Sequence, residues 1–180
     1  MAEPRVAELS PDEVRVRIDA WSGNAQQQVQ KLQRALSKIA EELTAEQMQL
    51  YQARLTLQAL EVAVKASPVG NPSLWVKPRK GYVGGTYRSN WQASVRRDSN
   101  VLPNEKGRPG QPPSSRQIQQ ASASLAQLQP YSVSYVFNNM PYAQRIEIGH
   151  SSQAPAGVTA QVINNLRTQV LTERQEMRRG

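Results

Sequence analysis

The 180-residue chain has no cysteine, a single histidine and a single phenylalanine. Without thiols there is no disulfide framework, no cysteine-ligated zinc or iron–sulfur centre and no thiol nucleophile. With His150 alone, multi-histidine metal sites are excluded and little remains for histidine-based acid–base chemistry. Long hydrophobic runs are missing too. Nothing approaches the ~18 consecutive apolar residues of a membrane-spanning helix. The opening Met1-Ala2-Glu3-Pro4-Arg5 leads into mixed charge instead of the apolar stretch of a leader. These absences predict a soluble protein made in the cytoplasm, with no membrane partner and no cofactor. Apolar residues make up only 38% of the chain. That is lean for a lone globule of this length and suggests long exposed elements, or surface covered only on assembly.

What is present is charge, unevenly placed. The formal net charge is +8, from 22 Lys and Arg against 14 Asp and Glu. Residues 1–66 carry eight basic and nine acidic side chains, whereas residues 67–180 carry fourteen and five. The basic character belongs to the second part, and it points toward an anionic partner or surface. Two regions are expected on this basis, a helical one over 1–66 and an α+β one over 67–180.

Val29, Leu36, Leu43, Leu50, Leu57 and Val64 recur every seven residues, with Leu32, Ile39, Ala53 and Leu60 on the second row of the same heptad and Glu46 breaking it. This spacing predicts one apolar seam on a helix from about Asn24 to Ala66, free of Gly and Pro. Thr44-Ala45-Glu46-Gln47 has the form of a capping box, so the alternative is a hairpin of two helices with facing seams. The seam is expected to pack on a sheet or a partner helix, or to serve an intersubunit bundle. A shorter helix is expected from Ser10, where an N-cap is followed by Pro11 and acidic residues.

Ser67-Pro68 then stops the helix. Trp91–Val95 alternates like a strand or the end of a short helix. Residues 98–116 have the composition of a loop, and 115–129 that of a polar helix with Ile118, Leu125 and Leu128 on one side. Tyr131–Phe137 alternates aromatic and β-branched residues with serine and predicts the best strand of the chain. Tyr142–Ile148 is a short helix or a second strand. Val158, Val162, Leu166 and Val170 recur every four residues, predicting a last helix from about Pro155 to a basic tail at Arg178-Arg179. The fold class is therefore α+β: a long amphipathic helix or helical hairpin, a small antiparallel sheet and a C-terminal helix.

Three catalytic readings fail on chemistry. Lys80-Gly81-Tyr82-Val83-Gly84-Gly85-Thr86 lacks the Lys-Ser/Thr and the preceding apolar strand of a phosphate loop. His150 has neighbouring hydroxyls at Ser151 and Ser152 but no identifiable carboxylate to fix its tautomer; in a Gly/Ser loop it is an interface or hydrogen-bonding residue. Glu41-Glu42 sits on a polar helix face. The stretch 75–97 stays open among three readings, because Trp75, Tyr82, Tyr87 and Trp91 interleave with Lys77, Arg79, Lys80, Arg88, Arg96 and Arg97. The aromatic residues could pack in the core, anchor a protein interface, or stack on bases while the cations neutralise phosphates.

Two segments carry a resemblance. The first is Ser67-Pro68-Val69-Gly70-Asn71-Pro72, then Trp75, then Lys80-Gly81-Tyr82-Val83-Gly84-Gly85-Thr86-Tyr87-Arg88-Ser89-Asn90-Trp91-Gln92. The second is Asn138-Asn139-Met140-Pro141-Tyr142-Ala143-Gln144-Arg145-Ile146-Glu147-Ile148-Gly149-His150-Ser151, followed by Gln153-Ala154-Pro155-Ala156-Gly157. In order and spacing they resemble the neck and tail-completion proteins of long-tailed bacteriophages, also described as minor tail or head–tail joining proteins. The resemblance implies a virion protein assembled in the host cytoplasm, a small α+β subunit of a homo-oligomeric ring of six- or twelvefold symmetry. Such a ring completes the tail or joins head to tail around the DNA channel. Its implied partners are neighbouring adaptor or stopper rings, the tail terminator or tail tube, and transiently the passing genome. It implies no catalytic residues. The N-terminal helical region and an insert at 98–129 depart from shorter relatives. Trp75, Tyr82, Arg88, Trp91, Tyr142, Arg145 and His150 are then the candidates for core and subunit contacts, and the seam Val29 to Val64 for packing on a neighbouring subunit. The alternative class is a nonspecific nucleic-acid-binding module.

Overall fold

The computed structural model describes residues 23–41, 43–70, 77, 80, 84–96 and 113–177. Among them, helix α1 spans Gly23–Ala40 and α2 Ala45–Ala66; a single turn α3 (Thr86–Ser89) leads into strand β1 (Trp91–Ser94). Helix α4 (Ser115–Leu125), strand β2 (Tyr135–Asn138), a short α5 (Ala143–Glu147) and the long α6 (Thr159–Met177) complete an α+β order. The expected helix near Ser10, Trp75, Tyr82, most of the 98–116 loop and the Arg178-Arg179 tail lie outside the described residues. No helix among the described residues is long and apolar enough to cross a membrane.

The chain breaks between α1 and α2 because Thr44 offers the backbone a better arrangement than helix. Its hydroxyl accepts from the Gln47 amide at 3.3 Å, and the Gln47 side-chain oxygen accepts from the Thr44 amide at 3.0 Å. Two donors that a helix start leaves orphaned are satisfied reciprocally, which fixes α2 to begin at Ala45. The break into two helices therefore describes the molecule. The seams, however, do not simply face each other, because α6 packs against both α1 and α2. Leu32, Ala35, Leu36 and Ile39 of α1 meet Leu55 of α2 and Val170 of α6 in one buried cluster.

The heptad row fails at Leu50, which is 72% exposed. The turn at 41–44 resets the helical phase, so α2 buries Met48, Leu55, Thr56, Ala59, Leu60, Ala63 and Val64, a new row at steps of three and four. Leu36 and Val64 keep their buried places, while Val29, Leu43 and Leu57 are half-buried. Leu60 has no exposure, and truncating such a side chain costs about 2–5 kcal/mol.

A second cluster joins α2 to the rest of the chain: Leu60 and Val64 pack with Tyr87, Trp91, Ala93, Val158 and Val162. The change in composition at residue 66 thus falls inside one hydrophobic core. Strands β1 and β2 pair antiparallel, with Trp91 opposite Asn138 and Ala93 opposite Val136. The second strand is shorter and later than the alternating pattern suggests. Tyr131 adopts φ 59, in the left-handed region where a non-glycine residue does not continue a strand. Side chains of α2 then hold the approach, Gln52 Nε2 donating to the Ser132 carbonyl at 2.7 Å and Thr56 Oγ1 lying 2.7 Å from Ser134 Oγ.

Helix α4 stops at Leu125, short of the expected Gln129, and its buried face is set by Gln117, Ala121 and Leu125, leaving Ile118 37% exposed. Gln117 explains the rotation. Its side-chain oxygen accepts from the Ser114 amide at 3.0 Å, capping the helix, while Nε2 donates to the Trp91 carbonyl at 3.1 Å. Residues 142–148 form the helical alternative, α5. The four-residue row of α6 holds, with Val158, Val162 and Val170 buried and Leu166 half-buried.

Candidate functional site

The two sequence motifs meet at a junction built from the end of α2, the α3–β1 corner, α5 and the start of α6. Ser67 closes α2: its amide donates to the Val64 carbonyl at 3.3 Å and its hydroxyl to the Ala63 carbonyl at 2.6 Å. The same hydroxyl accepts from Trp91 Nε1 at 2.7 Å, so the indole buries its polar atom without loss of a hydrogen bond. Arg88 reaches the same helix end, donating from Nη2 to the carbonyls of Ser67 at 2.9 Å and Lys65 at 3.4 Å. A guanidinium belongs there, where carbonyls are orphaned and the helix dipole is negative.

Tyr87 is the centre of the junction. Its ring is 3% exposed and stands edge-on to Trp91, centroids 5.7 Å apart, with Tyr142 tilted on another side at 6.1 Å. Its carbonyl accepts from Asn138 Nδ2 at 2.8 Å, which ties the first motif to the end of β2. Its phenol donates to Glu147 Oε1 at 3.1 Å. Burial, then the neighbouring Glu147 carboxylate, then the hydrogen bond to it hold this phenol well above the ordinary tyrosine range.

Glu147 caps α6 from another element. Oε2 accepts from the Thr159 amide at 2.9 Å and Oε1 from the Val158 amide at 3.3 Å. A carboxylate at a helix start satisfies orphan amides and opposes the positive end of the dipole. Gly157 is required for this approach: it sits at φ +78, and a Cβ there would lie 2.6 Å from the Glu147 carbonyl oxygen. Gln153 finishes the junction by imitating a strand neighbour, its oxygen accepting from the Val69 amide at 2.9 Å and its nitrogen donating to the Val69 carbonyl at 3.0 Å.

Of the residues selected from sequence, Arg88, Trp91 and Tyr142 stand in this junction. Arg145 and His150 are exposed, which removes them from the core and leaves them as surface. Trp75 and Tyr82 lie outside the described residues. Sequence reasoning quoted Asn138, Glu147 and Gln153 inside the motifs but gave them no role, read Ser67 only as part of the helix stop, and left Tyr87 among aromatic residues open between core, interface and base stacking. Glu147 carried a usable signal, as one of five acidic residues beyond position 66, set between Ile146 and Ile148. Among the described residues no group of three or more His, Cys, Asp or Glu could hold a metal.

Chemically, the arrangement is a fastener. Apart from the buried Arg88 Nε, the polar side-chain atoms described above hold four elements together, and the side chains turned outward near α5 are Gln144, Arg145, Ile148 and His150. The class that fold and junction define is a small α+β scaffold with internally locked motifs. No family model, curated protein or solved structure matches the chain.

Proposed function

We propose that the chain is a structural subunit of a long-tailed bacteriophage virion, one that forms a homo-oligomeric ring in the neck, completes the tail or joins head to tail around the DNA channel, and performs no catalysis. The observation that carries this reading is the Tyr87–Glu147 hydrogen bond at 3.1 Å. It joins the two segments that carry the family resemblance, sixty positions apart, and a single structural unit built from both is what the reading requires. The lean apolar fraction and the exposed Arg145, Ile148 and His150 suit a surface completed by neighbouring copies, by adaptor or stopper rings and by the tail terminator or tube. Negative-stain imaging of the purified chain, with mass measured by light scattering, tests it: closed rings of six or twelve copies are expected, and particles that never close would overturn it.

A second reading, a nonspecific nucleic-acid-binding module, is favoured by one feature. Lys31, Arg34 and Lys38 line the exposed side of α1, and that helix contains no acidic residue. Three phosphate contacts would give a salt slope near −0.9 per contact, about −2.7 in all. Titration of duplex DNA between 50 and 200 mM salt, on the order of the range where such slopes are read, separates the two: micromolar binding with that slope supports the module, and no binding leaves the ring.

A further inference from the structure

The sheet has two outer edges, and only one of them is engaged by the rest of the described chain. On β1 the Trp91 carbonyl accepts from Gln117 Nε2 at 3.1 Å, and just past its end the Val95 amide donates to Ser124 Oγ at 3.2 Å. Both bonds run to α4, so the odd-numbered residues of β1 turn their backbone groups away from β2. In an antiparallel pair such residues stand opposite partners that also turn outward. Trp91 opposes Asn138 and Ala93 opposes Val136. The amides and carbonyls of Val136 and Asn138 therefore point away from β1, and no backbone hydrogen bond among the described residues reaches them. Proteins usually guard such an edge with lysine, proline or a covering element. Here no side chain from Gln117 to Gln144 carries a charge, and β2 itself is Tyr-Val-Phe-Asn.

We propose that the outer edge of β2 is a self-association site, occupied by β2 of a second copy running antiparallel about a twofold axis at Phe137. The hydrogen-bond parity fits this occupant. With Phe137 at the axis, Val136 of each copy opposes Asn138 of the other, and the two pairs form four backbone hydrogen bonds. Those bonds use every outward amide and carbonyl of Val136 and Asn138 in both copies, and the four-stranded sheet runs β1-β2-β2-β1. An uncharged edge also accepts an uncharged strand without leaving a buried charge unpaired. Charged ends elsewhere on the chain would not meet that condition. The pairing does not depend on the ring proposal: a twofold pair is an isologous contact, whereas a sixfold or twelvefold ring closes through heterologous ones.

Hydrogen exchange of the full chain by NMR, followed with concentration, reads the edge directly. The Val136 and Asn138 amides have no backbone partner among the described residues, so slow exchange at high concentration that becomes at least tenfold faster on dilution supports the pairing. Fast exchange of both at every concentration overturns it. Val136→Pro removes one outward donor and spares the ladder to β1, and light scattering should then show loss of the pair. Tyr135→Lys, a gatekeeper charge at the same edge, should weaken association at least tenfold, and retention of full association in both variants overturns the proposal. Mass separates this idea from the ring. Isolated pairs with protected amides support the pairing and count against the ring, whereas closed rings with unprotected Val136 and Asn138 support the ring and overturn the pairing.

Discussion

Replacing Glu147 tests whether the junction holds the fold together. In Glu147→Ala the Val158 and Thr159 amides lose their carboxylate acceptor and the Tyr87 phenol loses its partner. Hydrogen bonds to a charged group contribute about 1.5–3 kcal/mol each, and a charge at a helix start adds about 0.3–1 kcal/mol. Only the Thr159 bond is short, at 2.9 Å; the others are 3.1 and 3.3 Å, and Glu147 is half-buried, so water compensates in part. The expected cost is about 3 kcal/mol in total, which for a chain of this size lowers Tm by about 6–12 °C. Glu147→Gln keeps an acceptor and loses the charge, so about 1–2 kcal/mol is expected. Urea denaturation followed by circular dichroism measures both. A double-mutant cycle with Tyr87→Phe isolates the phenol bond, and the two changes should be non-additive by more than about 0.5 kcal/mol. Glu147→Ala within about 0.5 kcal/mol of the wild type, or strict additivity in the cycle, would refute the argument that this carboxylate fastens α5, α6 and the α3–β1 corner.

Three further outcomes follow from the same packing. Trp91→Ala should cost about 3–5 kcal/mol, and Ser67→Ala, which leaves the buried Trp91 Nε1 without its acceptor, about 1–3 kcal/mol; denaturant midpoints read both. Leu50→Ala should change stability by no more than about 0.5 kcal/mol, whereas Leu60→Ala should cost about 2–5 kcal/mol, although a strict heptad would treat the two alike. Because the folded state holds the Tyr87 phenol above its unfolded value, its contribution is intact below pH ~10 and is lost as pH rises from there. Melting temperature should therefore fall more steeply above that pH in the wild type than in Tyr87→Phe.

The sequence was most legible where a local chemical signal decides the backbone. The Thr44 capping box, the Ser67-Pro68 stop and the four-residue row of α6 rest on residues close in the chain, and each corresponds to an observed boundary or face. It was least legible where two signals compete. A seven-residue row through Leu43, Leu50 and Leu57 is continuous in sequence, but the start of a new helix at Thr44 lies within it and leaves Leu50 exposed while Leu60 and Val64 stay buried. The alternation from Tyr131 to Phe137 has strand chemistry throughout, yet hydrogen bonds from Gln52 and Thr56 of α2 claim its first half. The junction was visible as strings of residues but not as roles. The partners of Tyr87 and Ser67 lie 60 and 24 positions away, and nothing local states that Glu147 will cap a helix starting twelve residues later.

This division bears on what the family resemblance can mean. Ser67, Tyr87, Trp91, Asn138, Glu147 and Gln153 face one another, so the motifs describe first a way of fastening helices to a two-stranded sheet. A partner can read only what the fastener leaves outside. Among the described basic residues between position 66 and the start of α6, Arg88 is engaged at the end of α2, while Lys77, Lys80, Arg96, Arg116 and Arg145 are exposed. The positive charge around the motifs thus separates into one cation that stabilises the fold and several that face outward. Screening acts on the exposed set far more than on a partly buried contact. If the ring reading holds, raising salt should loosen subunit or genome contacts before it loosens the junction, and assembly should be salt-sensitive at concentrations where the denaturant midpoint is not.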